Sequence, residues 1–157
     1  MSEINEITID LNGEEQTFSV KPGVPLRDAI RNELQMTGTK EACEVGECGS
    51  CMTLIEGTPV KSCLVPAHQA NGKEVTTVEG LADDDLHPVQ EGFIEEFGLQ
   101  CGYCTPGFII SSVALLEENP NPSREEIKQY LKGNLCRCTG YTKIFDAVEH
   151  AAEAYDE

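Results

Sequence analysis

The hydrophobic pattern changes period near the middle of the chain. In "EITIDL", Ile7, Ile9 and Leu11 alternate with Thr8 and Asp10, as in a half-buried strand. Asn12-Gly13 is a turn signal, and "TFSV" returns with Phe18 and Val20, so the opening reads as a hairpin. In "PLRDAIRNEL", Leu26, Ala29, Ile30 and Leu34 share one helical face, with Pro25 near the first turn. "CMTLIEGTPVKSC" predicts a second hairpin turning at Glu56-Gly57, and "KEVTTVEG" a last short strand. A mixed sheet packed on one helix fits this order.

From about Leu81 the spacing becomes helical. Leu86, Val89, Phe93 and Phe97 recur at helical intervals, and Thr105-Pro106 predicts an N-cap followed by a first-turn proline. The helix it opens, "GFIISSVALLEEN", carries a stripe of Ile109, Val113 and Leu116 and apolar neighbours nearly all round, which predicts burial. Ser123 and Glu126 form a capping box for "REEIKQYLKG", with Gly133 as the stop. In the last helix Ile144, Val148, Ala151 and Tyr155 share a face, opposite Asp146, Glu149 and Glu153. The expectation is an α+β protein of two domains: residues 1–80 around a sheet, and residues 81–157 as a small four-helix bundle.

Charge narrows the function. With 28 acidic residues against 11 basic ones, the formal net charge is −17, which repels phosphate backbones and excludes nucleic acid as a partner. The acidity otherwise predicts a solvated surface, docking to a basic partner face, or adaptation to a salty cytoplasm. The longest apolar run, around "FIISSVALL", falls well short of the roughly 20 residues of a membrane span. The opening "MSEINEITIDL" has neither the basic nor the apolar region of a secretory leader. A cytoplasmic protein is expected, with its thiols reduced.

Eight cysteines in 157 residues therefore point to metal ligation rather than to disulfides. They fall into two quartets along the same boundary. Cys43, Cys48 and Cys51 lie in "CEVGECGSC", with Cys63 beyond the hairpin, and C-x4-C-x2-C plus a distant cysteine is the plant-type [2Fe–2S] spacing. Thiolates are soft ligands suited to such clusters, and Gly46 and Gly49 permit the left-handed turns that aim backbone amides at the sulfurs. The second quartet is Cys101 and Cys104 in "QCGYCTPG" with Cys136 and Cys138 in "NLCRCTGY". By spacing alone, zinc is as good a match there as iron.

Taken together, "CEVGECGSC", "CGYCTPG" and "GNLCRCTGY" closely resemble the small iron–sulfur subunit of the xanthine dehydrogenase family, the molybdenum hydroxylases. The resemblance runs from about residue 4 to 152, in the same order. It implies a β-grasp, plant-type ferredoxin-like domain followed by a four-helix domain, each with one [2Fe–2S] cluster. Cys43, Cys48, Cys51 and Cys63 would hold the first cluster. Cys101, Cys104, Cys136 and Cys138 would hold the second, which resolves the ambiguity in favour of iron. Gln100 matches a glutamine that meets the molybdopterin of a partner chain, and Cys138 matches the ligand closest to that cofactor. The partners implied are a large molybdopterin-binding subunit and a medium FAD-binding subunit.

No other catalytic set is visible. His68, His87 and His150 are isolated and read as surface residues, and there is no G-x-S-x-G, Walker loop or dinucleotide fingerprint. Arg137 sits between two cysteines, as a charge partner for a cofactor or as a solvated side chain. The chain reads as a wire, passing single electrons from a molybdenum centre to flavin. Two rivals are a free-standing two-cluster ferredoxin and a structural zinc module. The free carrier predicts a polar surface throughout; the subunit predicts exposed apolar residues around Gln100 and the cysteine loops.

Overall fold

The computed structural model describes residues 5–155. Strands β1 (Asn5–Leu11) and β2 (Glu14–Val20) form the first hairpin, turning at Asn12-Gly13. Helix α1 spans Leu26–Asn32, so Leu34 lies beyond its end. Strands β3 (Met52–Ile55) and β4 (Thr58–Lys61) form the second hairpin around Glu56-Gly57, and β5 is Glu74–Thr76. The sheet is mixed, in the order β2-β1-β5-β3-β4, with β1 and β5 parallel.

The remaining helices are α2 (Pro88–Glu95), α3 (Thr105–Glu118), α4 (Arg124–Tyr130) and α5 (Thr142–Glu153). Three expectations need correction here. Leu86 and Phe97 do not extend α2: His87 caps it, Pro88 opens it, and Phe97 turns to φ 56° with 76% of its surface exposed. Thr105 is not the cap of α3 but lies inside it; Cys104 occupies the cap position without a side-chain bond. His87 is not a simple surface residue, because its Nδ1 accepts the Val89 N–H at 3.2 Å. The Ser123–Glu126 capping box is present as read, and α4 runs on into a short 3-10 turn that ends at Gly133.

The core shows why the halves stay together. Ile9, Leu11, Leu26, Ile30, Ile55 and Val75 pack between α1 and one face of the sheet. Leu54, one residue before Ile55, points to the opposite face and belongs to the helical core with Phe108, Ile110, Leu116 and Val148. Strand β3 is thus covered on both faces, by α1 and by α3. That is why Thr53, Leu54 and Ile55 are all buried, with none of the alternation of a one-sided strand. Helix α3 is buried continuously from Gly107 to Leu116. Helices α4 and α5 are tied by Arg124, which reaches Asp146 at 2.9 Å and Glu149 at 2.5 Å.

Candidate metal centres

The first quartet sits on the loop between α1 and β3, closed by Cys63 after β4. Glu44, Gly46 and Gly49 all take positive φ, at 59°, 77° and 73°, and these left-handed kinks wrap the chain around its own sulfurs. The amide of Cys48 donates to Cys43 Sγ at 3.4 Å. That bond, with a second from the Val45 amide, brings the Cys43 thiol down to about 6. Cys51 is the buried member, and burial pushes it up to about 11. The thiols meet in pairs, Cys43 with Cys48 and Cys51 with Cys63.

Arg27 of α1 holds this loop from below. Its side chain is only 4% exposed, and its guanidinium reaches Asp28 at 2.6 Å and Glu44 at 3.2 Å. It therefore ties the residue next to Cys43 to α1.

The second quartet gathers where the α2–α3 connection meets the α4–α5 connection. Cys101 and Cys138 thiols lie 3.7 Å apart at the surface, and Cys104 pairs with Cys136 beneath them. Burial, then the Cys136 thiol, pushes Cys104 up to about 12. Burial also raises Cys136, but the Thr139 hydroxyl and amide, at 3.2 Å and 3.4 Å, outweigh it and bring it down. The hydrogen bond to the Cys101 thiol raises Cys138. These four cysteines line a hollow of about 220 Å³, which Ala42, Cys48 and Ser50 of the first loop help to wall. The two thiol sites therefore share a partition.

That partition is drawn tight. The Leu135 N–H donates to the Cys48 carbonyl at 2.9 Å, one residue before Cys136. Asn134 Nδ2 donates to the Gly49 carbonyl at 3.3 Å, and the Tyr103 hydroxyl donates to the Glu41 carbonyl. Sequence spacing singles out both quartets but not these ties, since nothing local marks an asparagine or a tyrosine as a long-range partner.

All eight thiols are free of disulfides. Among the described residues, no three His, Cys, Asp or Glu side chains converge on a point suited to one metal ion. Pairs of thiols facing each other, with amides aimed at them, match a donor set of two thiolates for each of two irons. The residues present fit such a group in both sites.

Gln100 is exposed, and it directly precedes exposed Cys101, which touches Cys138. Phe97 (76% exposed) lies three residues before it, Tyr103 (47%) and Leu135 (52%) line the hollow with Cys101, and Val45 (66%) and Leu64 (61%) flank the first loop. Arg137 is exposed and lines the hollow. His68 and His150 are exposed, and neither lines the hollow of the second quartet.

Residues 9–82 match the 2Fe-2S iron-sulfur cluster binding domain, and residues 77–149 match the [2Fe-2S] binding domain. The nicotine 6-hydroxylase small subunit of Paenarthrobacter nicotinovorans is 48% identical over 91% of this chain and 87% of its own length. The nicotinate dehydrogenase small FeS subunit of Eubacterium barkeri is 45% identical over 96% of this chain and 98% of its own. The chain belongs to the small iron–sulfur subunits of the xanthine dehydrogenase family. A chain of quinoline 2-oxidoreductase from Pseudomonas putida 86 superposes on this family member with a TM-score of 0.95 at 45% identity, covering 99% of this chain and 98% of that one. Among the described residues, no helix is long and apolar enough to cross a membrane.

Proposed function

We propose that this chain is the electron-transfer subunit of a cytoplasmic, multi-subunit molybdenum hydroxylase. Residues 1–80 form a β-grasp, plant-type ferredoxin-like domain, with Cys43, Cys48, Cys51 and Cys63 as ligands of one [2Fe–2S] cluster. Residues 81–157 form a four-helix domain, with Cys101, Cys104, Cys136 and Cys138 as ligands of the other. Each cluster, when bound, supplies a one-electron couple. The chain supplies thiolates, converging amides and a shared wall between the sites.

The observation that carries the proposal is the layout of the two sites. They stand back to back through the Leu135–Cys48 hydrogen bond. The outer edge of the second opens to the surface at Cys101 and Cys138. Gln100 and Cys138 face a large molybdopterin-binding subunit in this reading, and the Val45–Leu64 side faces a medium FAD-binding subunit or another acceptor. Apolar side chains exposed at both ends suit a subunit with partners better than a free-standing ferredoxin, whose surface would be polar throughout.

The test is iron, acid-labile sulfide, zinc and molybdenum per chain on natively purified material. About four irons and four sulfides, with about one molybdenum co-purifying, is the expected result. Full iron in a protein that purifies alone favours the free carrier. Zinc in place of half the iron breaks the electron path at the second quartet.

A further inference from the structure

Asn134 and Ser111 are buried polar residues at the junction of the two thiol loops, 5% and 2% exposed. A buried amide left without partners is costly, so its hydrogen bonds fix its orientation. Both ends of the Asn134 side chain are satisfied. Its Oδ1 accepts the Ser111 hydroxyl from α3 at 3.0 Å, and its Nδ2 donates to the Gly49 carbonyl at 3.3 Å. The Asn134 backbone N–H is held in turn by the Leu131 carbonyl at 2.9 Å. The residue two positions before Cys136 thus grips the residue just after Cys48.

The asparagine amide meets both contacts with one short side chain, offering an acceptor to the Ser111 hydroxyl and a donor to the Gly49 carbonyl. Gly49 makes the approach possible: a Cβ there would lie 2.7 Å from Asn134 Nδ2. Ser111 is a firm anchor, seated among the fully enclosed residues of α3.

We propose that Asn134 is a positioning residue for electron exchange between the two thiol sites. Its amide locks the 133–136 segment onto the Gly49 turn, so the Leu135–Cys48 hydrogen bond forms at one fixed separation and orientation. This rests on the electron-transfer reading above. One crossing removes one electron from one site and delivers one to the other; no bond is made or broken and no proton is transferred. Misplacing the loops leaves both couples intact but lengthens the gap between them.

The test uses the intact complex carrying the wild-type chain, Asn134→Ala or Ser111→Ala. Iron per chain reports cluster loading. The magnetic splitting between two reduced clusters in electron paramagnetic resonance reports their relative placement, and rapid-mixing spectroscopy reports the exchange rate. Expected for Asn134→Ala at full iron loading is loss of most of the splitting and about tenfold slower exchange, since small displacements of reacting partners are costly in rate. Ser111→Ala, which frees the amide to rotate, should show the same changes more weakly. A fully loaded Asn134→Ala complex with wild-type splitting and rate overturns the proposal. Should Asn134→Ala fail to hold its iron, Ser111→Ala decides: unchanged splitting and rate overturn it, and weakened ones support it. A wild-type complex without two reducible clusters defeats the electron-transfer reading itself, whereas intact wild-type coupling that survives both variants defeats only the role of Asn134.

Discussion

The carbonyl oxygen of Gly49 lies directly against the Cα of Gly107, so a methyl group on Gly107 would collide with it. Gly49 belongs to the first cysteine loop and Gly107 to the opening turn of α3, so this contact is part of the seam between the two halves. The same carbonyl accepts the Met52 N–H at 3.2 Å and the Asn134 side chain at 3.3 Å.

Gly107→Ala is therefore expected to destabilise the protein by about 1–3 kcal/mol, the usual cost of overpacking. The backbone on the far side cannot swing away as a flexible side chain could. Gly133→Ala is the control, because the nearest atom to a Cβ there is Lys61 Nζ at 3.6 Å; its effect should stay within about 0.5 kcal/mol. Thermal melting of the iron-loaded chain, with iron content after heating, separates the two. Equal melting temperatures for the two variants would show that the seam is looser than its geometry implies.

Cysteine substitutions should divide the metal content along the quartets. Cys48→Ser is expected to cost about two irons per chain and one paramagnetic signal, and Cys136→Ser the same with the other signal lost. A single substitution that removes all the iron would mean the sites are not independent. That result would move attention to the shared wall at Ala42, Cys48 and Ser50.

Much of this was legible in the residues. The period of two in β1 and the Asn12-Gly13 and Glu56-Gly57 turns specified both hairpins, because turn chemistry and alternation are local signals. The cysteine spacings likewise marked both quartets. What stayed hidden depends on distant partners. Strand β3 shows no alternation because α3 covers its second face, and α3 is remote in sequence. Leu86 and Phe97 keep helical spacing with Val89 and Phe93, yet Pro88 and the left-handed turn at Phe97 restrict α2 to the stretch between them. Asn134 looks like an ordinary polar residue until folding sets its amide between Ser111 and the Gly49 carbonyl.

Arg27 offers a third test. Its guanidinium joins Asp28 and Glu44, so Arg27→Met removes charge-assisted hydrogen bonds typically worth about 1.5–3 kcal/mol each. Both carboxylates remain partly exposed and can be rehydrated, so the net loss of stability should fall near the lower figure. Glu44, at φ 59° beside Cys43, would lose its side-chain tie to α1. Iron should then leave the first site faster in the presence of a chelator, while the second site keeps its own rate. Arg27→Lys should rescue only in part, since one ammonium does not reproduce a planar fork. Equal iron-release rates for Arg27→Met and wild type would reduce Arg27 to a stability role.

The last prediction concerns His87 and pH. Its Nδ1 accepts the Val89 N–H at 3.2 Å, which places the ring proton on Nε2, 3.1 Å from the Tyr155 hydroxyl. Burial lowers the histidine below its ordinary value of 6.5, although the Glu117 carboxylate pulls the other way. Burial and the same carboxylate raise Tyr155 to about 12, so the phenol stays protonated and does not titrate in the working range. A base whose folded value is depressed contributes its full stability above the unfolded value. That contribution is lost as pH falls from about 6.5 towards the folded value, where Nδ1 gains a proton and can no longer accept the Val89 N–H. Asparagine caps helices well without titrating, so His87→Asn should hold α2 at every pH. Between about pH 7.5 and about pH 5, wild type should lose about 1 kcal/mol more than His87→Asn, roughly the worth of an N-cap. Melting curves of both proteins at the two pH values give the comparison, and carboxylate effects common to both cancel in the difference. Parallel losses would mean that protonated His87 keeps α2 capped through another contact.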